Sequence, residues 1–516
     1  MKFQDMHTKP LYKIVLSAVL LLSISPVFAQ RIGYSANSME YDKRIGPNVQ
    51  RLIGNVVFRE KSANMYCDSA YFYEKNEDID AFGRVRIVPH KGHTSLSGKM
   101  LHYSADSRQA IISGGVTLVD DNTTLVTDMI IYNMITGIAD YNTQGIITSD
   151  KNKLVSQQGS YNKDLKQFYF KHKVVVTNPQ YVIHTDTMNY NTESKVVDFL
   201  GPTTIVSNDK DSIYCERGWY NTATDISSFQ RKAWLKGSGK IIKGDTLYYE
   251  KRSSLGKVFG NAQMRDTTQN IILRGNFASY DRIRQKALIT KKALMIQVDK
   301  KDSLYLHADT IYSGIFTEKN ETLARVDTFK YVKAYHRVKF FRTDLQGKCD
   351  SLYYSFKDST LQFINDPVLW NNGTQLKAEH VTIFTKNQKM ERMEMTNAGF
   401  IISQEDSIRF NQIKGRDMTG YFNKDNELYK MLVKGNGQTI YFAKDQGSLV
   451  GVQKAESSDI ILFFKQRKLD RLTYLSQVNG AFHPPFELSG FDLQLKDFIW
   501  LDHLRPRSWR DVFIWK

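Results

Sequence analysis

The chain has 516 residues, of which 41% are hydrophobic and 24% charged, and it carries a formal charge of +17. Those proportions exclude a disordered chain, and 28 Tyr and 29 Phe against only 10 Pro favour strands over helices. A basic balance suits lipid phosphates, anionic glycans, nucleic acid or a membrane surface; here Lys and Arg are scattered with no block of five or six, as also keeps a long protein soluble, so charge alone names no ligand.

Lys2, Lys9 and Lys13 precede the apolar run Ile14 to Ile24, which Ser25-Pro26 breaks before Val27-Phe28-Ala29. Eleven residues are too few to span a bilayer, which needs about 20. The pattern predicts a secretory signal cleaved after Ala29, and no cysteine is near enough for a lipoprotein signal. The removed segment holds three Lys and one Asp, leaving +15 on the mature chain. Export to the periplasm is therefore expected, with any outer-membrane association made through partners.

From there on the chain repeats. Clear copies are Cys67-Asp68-Ser69-Ala70-Tyr71-Phe72, Thr127-Asp128-Met129-Ile130-Ile131-Tyr132 and Thr185-Asp186-Thr187-Met188-Asn189-Tyr190. Gly244-Asp245-Thr246-Leu247-Tyr248-Tyr249, Ala308-Asp309-Thr310-Ile311 and Cys349-Asp350-Ser351-Leu352-Tyr353-Tyr354 continue them. Each has an Asp and an apolar residue two on, and all but the Ala308 copy have an aromatic residue four on. The last position runs through Tyr41, Phe72, Tyr103, Tyr132, Tyr161, Tyr190, Tyr220, Tyr249 and Tyr280 at steps of 29 to 31 residues. It then passes Ser313, Tyr354, Ile383, Tyr421 and Phe463 at wider steps. Repetition at such a period marks a stacked architecture.

Residues i, i+2 and i+4 share one face of a strand. Met39, Ala70, Leu101, Ile130, Met188, Leu247, Ala278, Ile311, Leu352, Val381 and Ile461 make the i+2 row apolar; Gly159, Gly218 and Thr419 are its exceptions. After a polar turn such as Glu74 to Asp78, a second strand carries Gly-x-Val or a relative: Gly54-Asn55-Val56, Gly83-Arg84-Val85, Gly115-Val116-Thr117, Gly260-Asn261-Ala262. The glycine predicts a bend or bulge. The Asp, placed at a strand start, is expected to cap a turn. About fourteen such units, each adding one strand to each of two sheets at about 4.8 Å spacing, would extend on the order of 65 Å. Residues 483–516, with Pro484-Pro485 and Trp500, Trp509 and Trp515, leave the pattern and read equally well as a cap or a docking tail.

At this point the sequence resembles the OstA-like (LptA) family of lipopolysaccharide transport proteins. Its Asp-x-apolar-x-Tyr strand, polar turn and Gly-Asn-Val-like strand stand here as Asp68 to Val85 and as Gly54-Asn55-Val56, best over residues 30–206, with divergent copies over 207–482. The resemblance implies an all-β, elongated folded β-jellyroll, a V-shaped two-sheet stack whose apolar groove takes the acyl chains of lipopolysaccharide or a related glycolipid. It also implies inner- and outer-membrane transport components as partners, end-to-end self-association through edge strands, and no nucleic acid. The chain departs from the family's bridging members by its length. The groove lining expected from the repeat is Ala70, Phe72, Leu101, Tyr103, Ile130, Tyr132, Met188, Tyr190, Leu247 and Tyr249.

Cys67, Cys215 and Cys349 each precede the Asp position in separate units, too distant to bridge, so no disulfide is expected. No cofactor, metal site or catalytic residue is expected: there is no His-Glu-x-x-His, Gly-x-Ser-x-Gly or phosphate loop, and Asp120-Asp121 is an isolated acidic pair. A structural or adhesive β-solenoid, and less readily a polysaccharide-acting β-helix enzyme, are the competing readings.

Overall fold

The computed structural model describes residues 32–515 except 42, 92, 238, 300–301, 321–324, 387–388, 426 and 467, so the signal segment expected over residues 1–29 lies outside the described residues. Within them are forty strands and three short 3-10 helices. Every paired strand runs antiparallel to its partner, and sequence neighbours pair through hairpins. Two compact units result among the described residues: residues 32–121 with 131–135, and residues 122–130 with 136–515.

The period-30 pattern becomes two long strands per copy, such as Ala63–Tyr73 and Asp78–Pro89. Each strand bends once in the middle. At Gly83 and Arg84 φ is +71° and +39°, and the register slips between Phe82 and Val85. The same pair of left-handed residues recurs at Gly54-Asn55, His172-Lys173, Arg231-Lys232, Gly260-Asn261, Lys291-Lys292, His336-Arg337, Asn397-Ala398 and Gly435-Asn436. No β-branched residue occupies any of these sites, as the left-handed region requires.

The bend folds the halves of each strand over one another, so one pass of chain supplies both layers. In the first unit Phe58 of one layer lies 6.2 Å from Phe72 of the other. In the second, Phe340 and Phe363 face each other at 5.7 Å, and the Thr439 and Tyr474 hydroxyls bond at 2.6 Å. Each copy thus adds two strands to each layer, twice the sequence expectation, because the glycine bend is a corner between layers rather than a bulge in one sheet.

The repeated Asp differs from expectation in the same way. Asp68 sits mid-strand at the corner, not at a strand start, and its Oδ1 lies 2.6 Å from Arg84 Nη2. Asn261 Nδ2 donates to Asp245 at 3.0 Å, Lys232 Nζ to Glu216 at 2.6 Å, and Arg337 Nη2 lies 2.7 Å from Asp309. The carboxylate bonds the residue that follows the first left-handed position of the next strand. These pairs are exposed, so each contributes little by itself. What they do is hold two adjacent corners in register. At Gly260 no side chain fits, since a Cβ there would fall 2.2 Å from Asp245 Oδ2.

Candidate functional site

The inner face of the folded sheet is the surface the repeat builds. Between residues 49 and 118 it is a filled core. Phe58, Ile79, Ile87, Ile112 and Val116 are 0% exposed, and Tyr103 only 1%. The inner positions there carry bulky side chains, and Arg108 of one layer pairs with Glu60 of the other at the open side.

Between residues 240 and 281 the same face stays accessible. Ile242, Val258, Met264, Leu273 and Ala278 are only partly buried, and Tyr249 and Tyr280 are 38% and 45% exposed. The reason is volume. Inner positions here are occupied by Gly244, Gly256, Ala262, Gly275 and Ala278; Val258 and Ile289 crowd Gly244 and Gly275, and only at Gly256 is the space beside the backbone open. Turns 251–254 and 282–285 rim the cleft, where Lys251, Arg252, Arg282 and Arg284 are exposed. Arg252 and Arg284 are held by Asp225 and Asp281 at 3.6 and 2.8 Å. Beyond the cleft the seam closes again into a core that runs from Ile289 to Leu462 and contains Met393, Met395, Met418 and Met431.

The residues singled out from the sequence fall on this face. Ala70, Phe72, Leu101, Tyr103, Ile130, Met188 and Leu247 are buried, Tyr132 and Tyr190 are partly buried, and Tyr249 is exposed. They are not gathered in one place: those before residue 120 sit in filled core, and Leu247 and Tyr249 line the cleft. Ile242, Met264 and Leu273 also line it but lie across the corner from the Asp-x-apolar-x-Tyr positions, Met264 after Gly260-Asn261 and Ile242 and Leu273 ahead of the corner in their own strands. Their alternation with Lys243, Arg265 and Arg274 was a legible signal. In two late copies the expected register is off by one. Met418 and Ile460, not Thr419 and Ile461, are the buried residues, at 2% and 0% exposure. A one-residue slip exchanges the faces of a strand, and there Asp417 and Asp459 stand one place beyond the corner-facing residues Arg416 and Ser458.

Cys67, Cys215 and Cys349 are free, buried thiols on the inner face. Burial pushes each thiol up to about 12. The proton is held more tightly in the folded state, so the contribution to stability is complete below pH about 9 and lost as pH rises toward 12. Alkylation by iodoacetamide at pH 8 should therefore stay below one label per chain in the folded protein and reach three in denaturant, as read by intact mass; rapid native labelling at all three positions would contradict their burial.

Residues 484–515 lie on the opposite surface, against the outer face of the second unit. The segment runs back along the repeats. Gln412 donates to Leu493 O and accepts from Leu495 N, both at 2.8 Å. Gln375 does the same with Ile499 O at 2.8 Å and Leu501 N at 2.7 Å. Gln346 Oε1 accepts from Arg505 Nε at 2.7 Å, and Lys339 Nζ donates to Ile514 O at 2.6 Å. All three glutamines are 1% exposed. Leu495 packs with Phe400, Ile402, Ile440, Phe442 and Val452, and Val512 with Leu294 and Ile296. The segment is a strap across strands, a placement that nothing in its own sequence indicates.

Among the described residues no group of three or more His, Cys, Asp or Glu is placed to hold a metal, and no helix is long and apolar enough to cross a membrane.

Residues 32–186 match the family model described as OstA-like protein. This chain carries an OstA-like segment. A search of the curated proteins finds no match. Among solved structures, the chain is similar to LptH of Pseudomonas aeruginosa, described as the LptA-homologous periplasmic component of the conserved lipopolysaccharide transport device. That likeness has 20% identity, covers 21% of this chain and 80% of the other, and has a TM-score of 0.19. The partly accessible residues 240–281 lie outside the matched segment.

Proposed function

We propose that this protein binds the acyl chains of lipopolysaccharide or a related glycolipid in the inner seam, without covalent chemistry, and hands them between membranes in the periplasm. The observation that carries the reading is the accessible apolar stretch from Ile242 to Ala278, in a chain whose N-terminal segment is OstA-like. An exposed apolar lining is costly in water, and acyl chains that cover it release that cost at about 25 cal/mol per Å² of apolar surface buried. Lys251, Arg252, Arg282 and Arg284 stand where lipid phosphates would lie once the chains are in the cleft. In this reading the inner- and outer-membrane transport components meet edge strands such as Gly33–Ser35 in the first unit and Lys468–Leu475 in the second, which offer unpaired backbone for a partner or a second copy.

The test is site-specific photocrosslinking in cells. A photoreactive residue at Leu247, Met264 or Leu273 should trap glycolipid, detected as an adduct of lipid mass, whereas the same residue at Phe58 or at solvent-facing Lys75 should not. Equal adducts at Lys75 and Met264, or adducts at neither, would overturn the reading.

A further inference from the structure

A second feature lies outside the seam, on the outer face of the second unit. The strands Leu304–Asn320 and Arg325–Tyr335 pair as far as Asn320 with Arg325, whereas the preceding strand stops pairing at Ser313. The hairpin therefore projects past its neighbour on that side. On its outer face Tyr331 lies across Gly314: a Cβ at Gly314 would fall 2.8 Å from the Tyr331 hydroxyl and 3.0 Å from its ring. The missing side chain lets the ring lie flat against the strand, which leaves its other face turned outward. Tyr312, Phe316 and Tyr353 surround it with ring centroids at 6.0, 6.2 and 6.0 Å.

The ammonium of Lys333 lies over this platform, 5.2 Å from the Tyr331 centroid, 5.5 Å from Tyr353 and 6.0 Å from Tyr335. Among the described residues it makes no ion pair, while nearby Lys357 is taken by Glu318 at 2.5 Å. Beside it is a shallow pocket of about 220 Å³ lined by Lys333, Tyr335, Ser351, Leu352, Tyr353 and Ile364. Nothing in a hydrophobic core or a sheet ladder requires this combination: ring faces turned outward, an adjoining hollow and a cation held by rings alone.

From it we propose a second binding site, for an acidic saccharide, on the outer face around Tyr331, Lys333, Tyr335 and Tyr353. The ring faces are electron-rich and attract the polarised C–H bonds on the flat face of a pyranose. The single free ammonium then selects a ring bearing a carboxylate or phosphate, through a charge-assisted hydrogen bond. An uncharged sugar would use the platform alone, and a sugarless anion the lysine alone. The joint requirement separates an acidic saccharide from both. The site is independent of the acyl seam and stands whether or not that seam holds lipid.

The experiment uses the full-length mature protein, with a tetramer of galacturonic acid as probe, maltotetraose as uncharged control, and polyphosphate and a poly-glutamate peptide as sugarless anions. Binding is read by saturation-transfer NMR and by calorimetry. The acidic tetramer should bind with its ring protons saturated. Lys333→Gln should weaken it about tenfold, as the loss of one charge-assisted bond implies, and Tyr335→Ala together with Tyr353→Ala should abolish it while the melting temperature is unchanged. Maltotetraose should bind more weakly and be indifferent to Lys333→Gln. No binding of the acidic tetramer, or binding that survives both sets of substitutions, would overturn the proposal. So would equal binding of polyphosphate or of the peptide, which would make the patch a general anion surface.

Discussion

Removal of residues 484–516 is expected to lower the melting temperature by more than any single substitution and to make the protein associate more than the intact chain does. The strap covers Phe400, Ile402, Ile440, Phe442 and Val452 at one end and Leu294 and Ile296 at the other. Without it these side chains form an exposed apolar face, and such faces drive association. Polar losses add to this. Gln346, Gln375, Gln412 and Lys339 are each at most 3% exposed and bonded to strap atoms. Freed of the strap they regain water, so the loss per bond is the net value of about 0.5–1.5 kcal/mol rather than the full cost of an unpaired buried group. Light scattering coupled to gel filtration and a thermal melt would read both effects. A truncated chain that associates no more than the intact one and melts within a degree or two of it would show that the strap contributes nothing to the fold.

Trp370 offers the second large effect and a sharper contrast. It is 0% exposed and pairs across strands with Gln346 on one side and Gln375 on the other, beneath the strap. Trp370→Ala should cost about 3–5 kcal/mol, the range for emptying a site of that size, and should loosen the strap with it. Trp370→Phe should cost far less than that. The indole N–H is buried without a hydrogen-bond partner, so removing it relieves a desolvation cost of about 1–3 kcal/mol that offsets part of the lost packing. Thermal melts of both variants, with hydrogen exchange followed at residues 493–514, would check this. If Trp370→Phe is as damaging as Trp370→Ala, the N–H has a partner and the argument fails.

Much of the fold is legible in the residues alone because one physical rule repeats. The apolar residue two places after the Asp position of the repeat faces inward in most copies: Ala70, Leu101, Ile130, Met188, Leu247, Ile311, Leu352 and Val381 are all buried at 7% exposure or less, whereas Ala278 is partly buried and Met39, in the short strand Ser38–Tyr41, is 57% exposed. The rule fails where the local cue shifts. Asp417 and Asp459 imitate the repeat one residue out of phase, and only the pairing of their strands places Met418 and Ile460 inward instead. The corner pairs were hidden for another reason. Asp68 and Arg84 are sixteen residues apart, and nothing in either strand says that the chain folds over between layers at that point. The three glutamines that hold the strap look like ordinary strand polar residues, since their partners there, backbone groups for Gln412 and Gln375 and the Arg505 guanidinium for Gln346, are 81 to 159 residues away.

By itself the sequence determined the period, the strand class and the side of each strand that turns from water. These follow from hydrophobic alternation and turn chemistry, which act over a few residues. Whether the apolar side is a filled core or an accessible cleft was decided only by tertiary structure. That outcome depends on which side chains from opposite layers meet: Phe58 with Phe72, closed off by Arg108 and Glu60, fills the seam at one place. Around Gly256, where nothing lies within 3.9 Å of a Cβ position, Val258, Ala278 and Tyr280 stay partly accessible. The volume between two layers is a sum over both, and no single strand carries it.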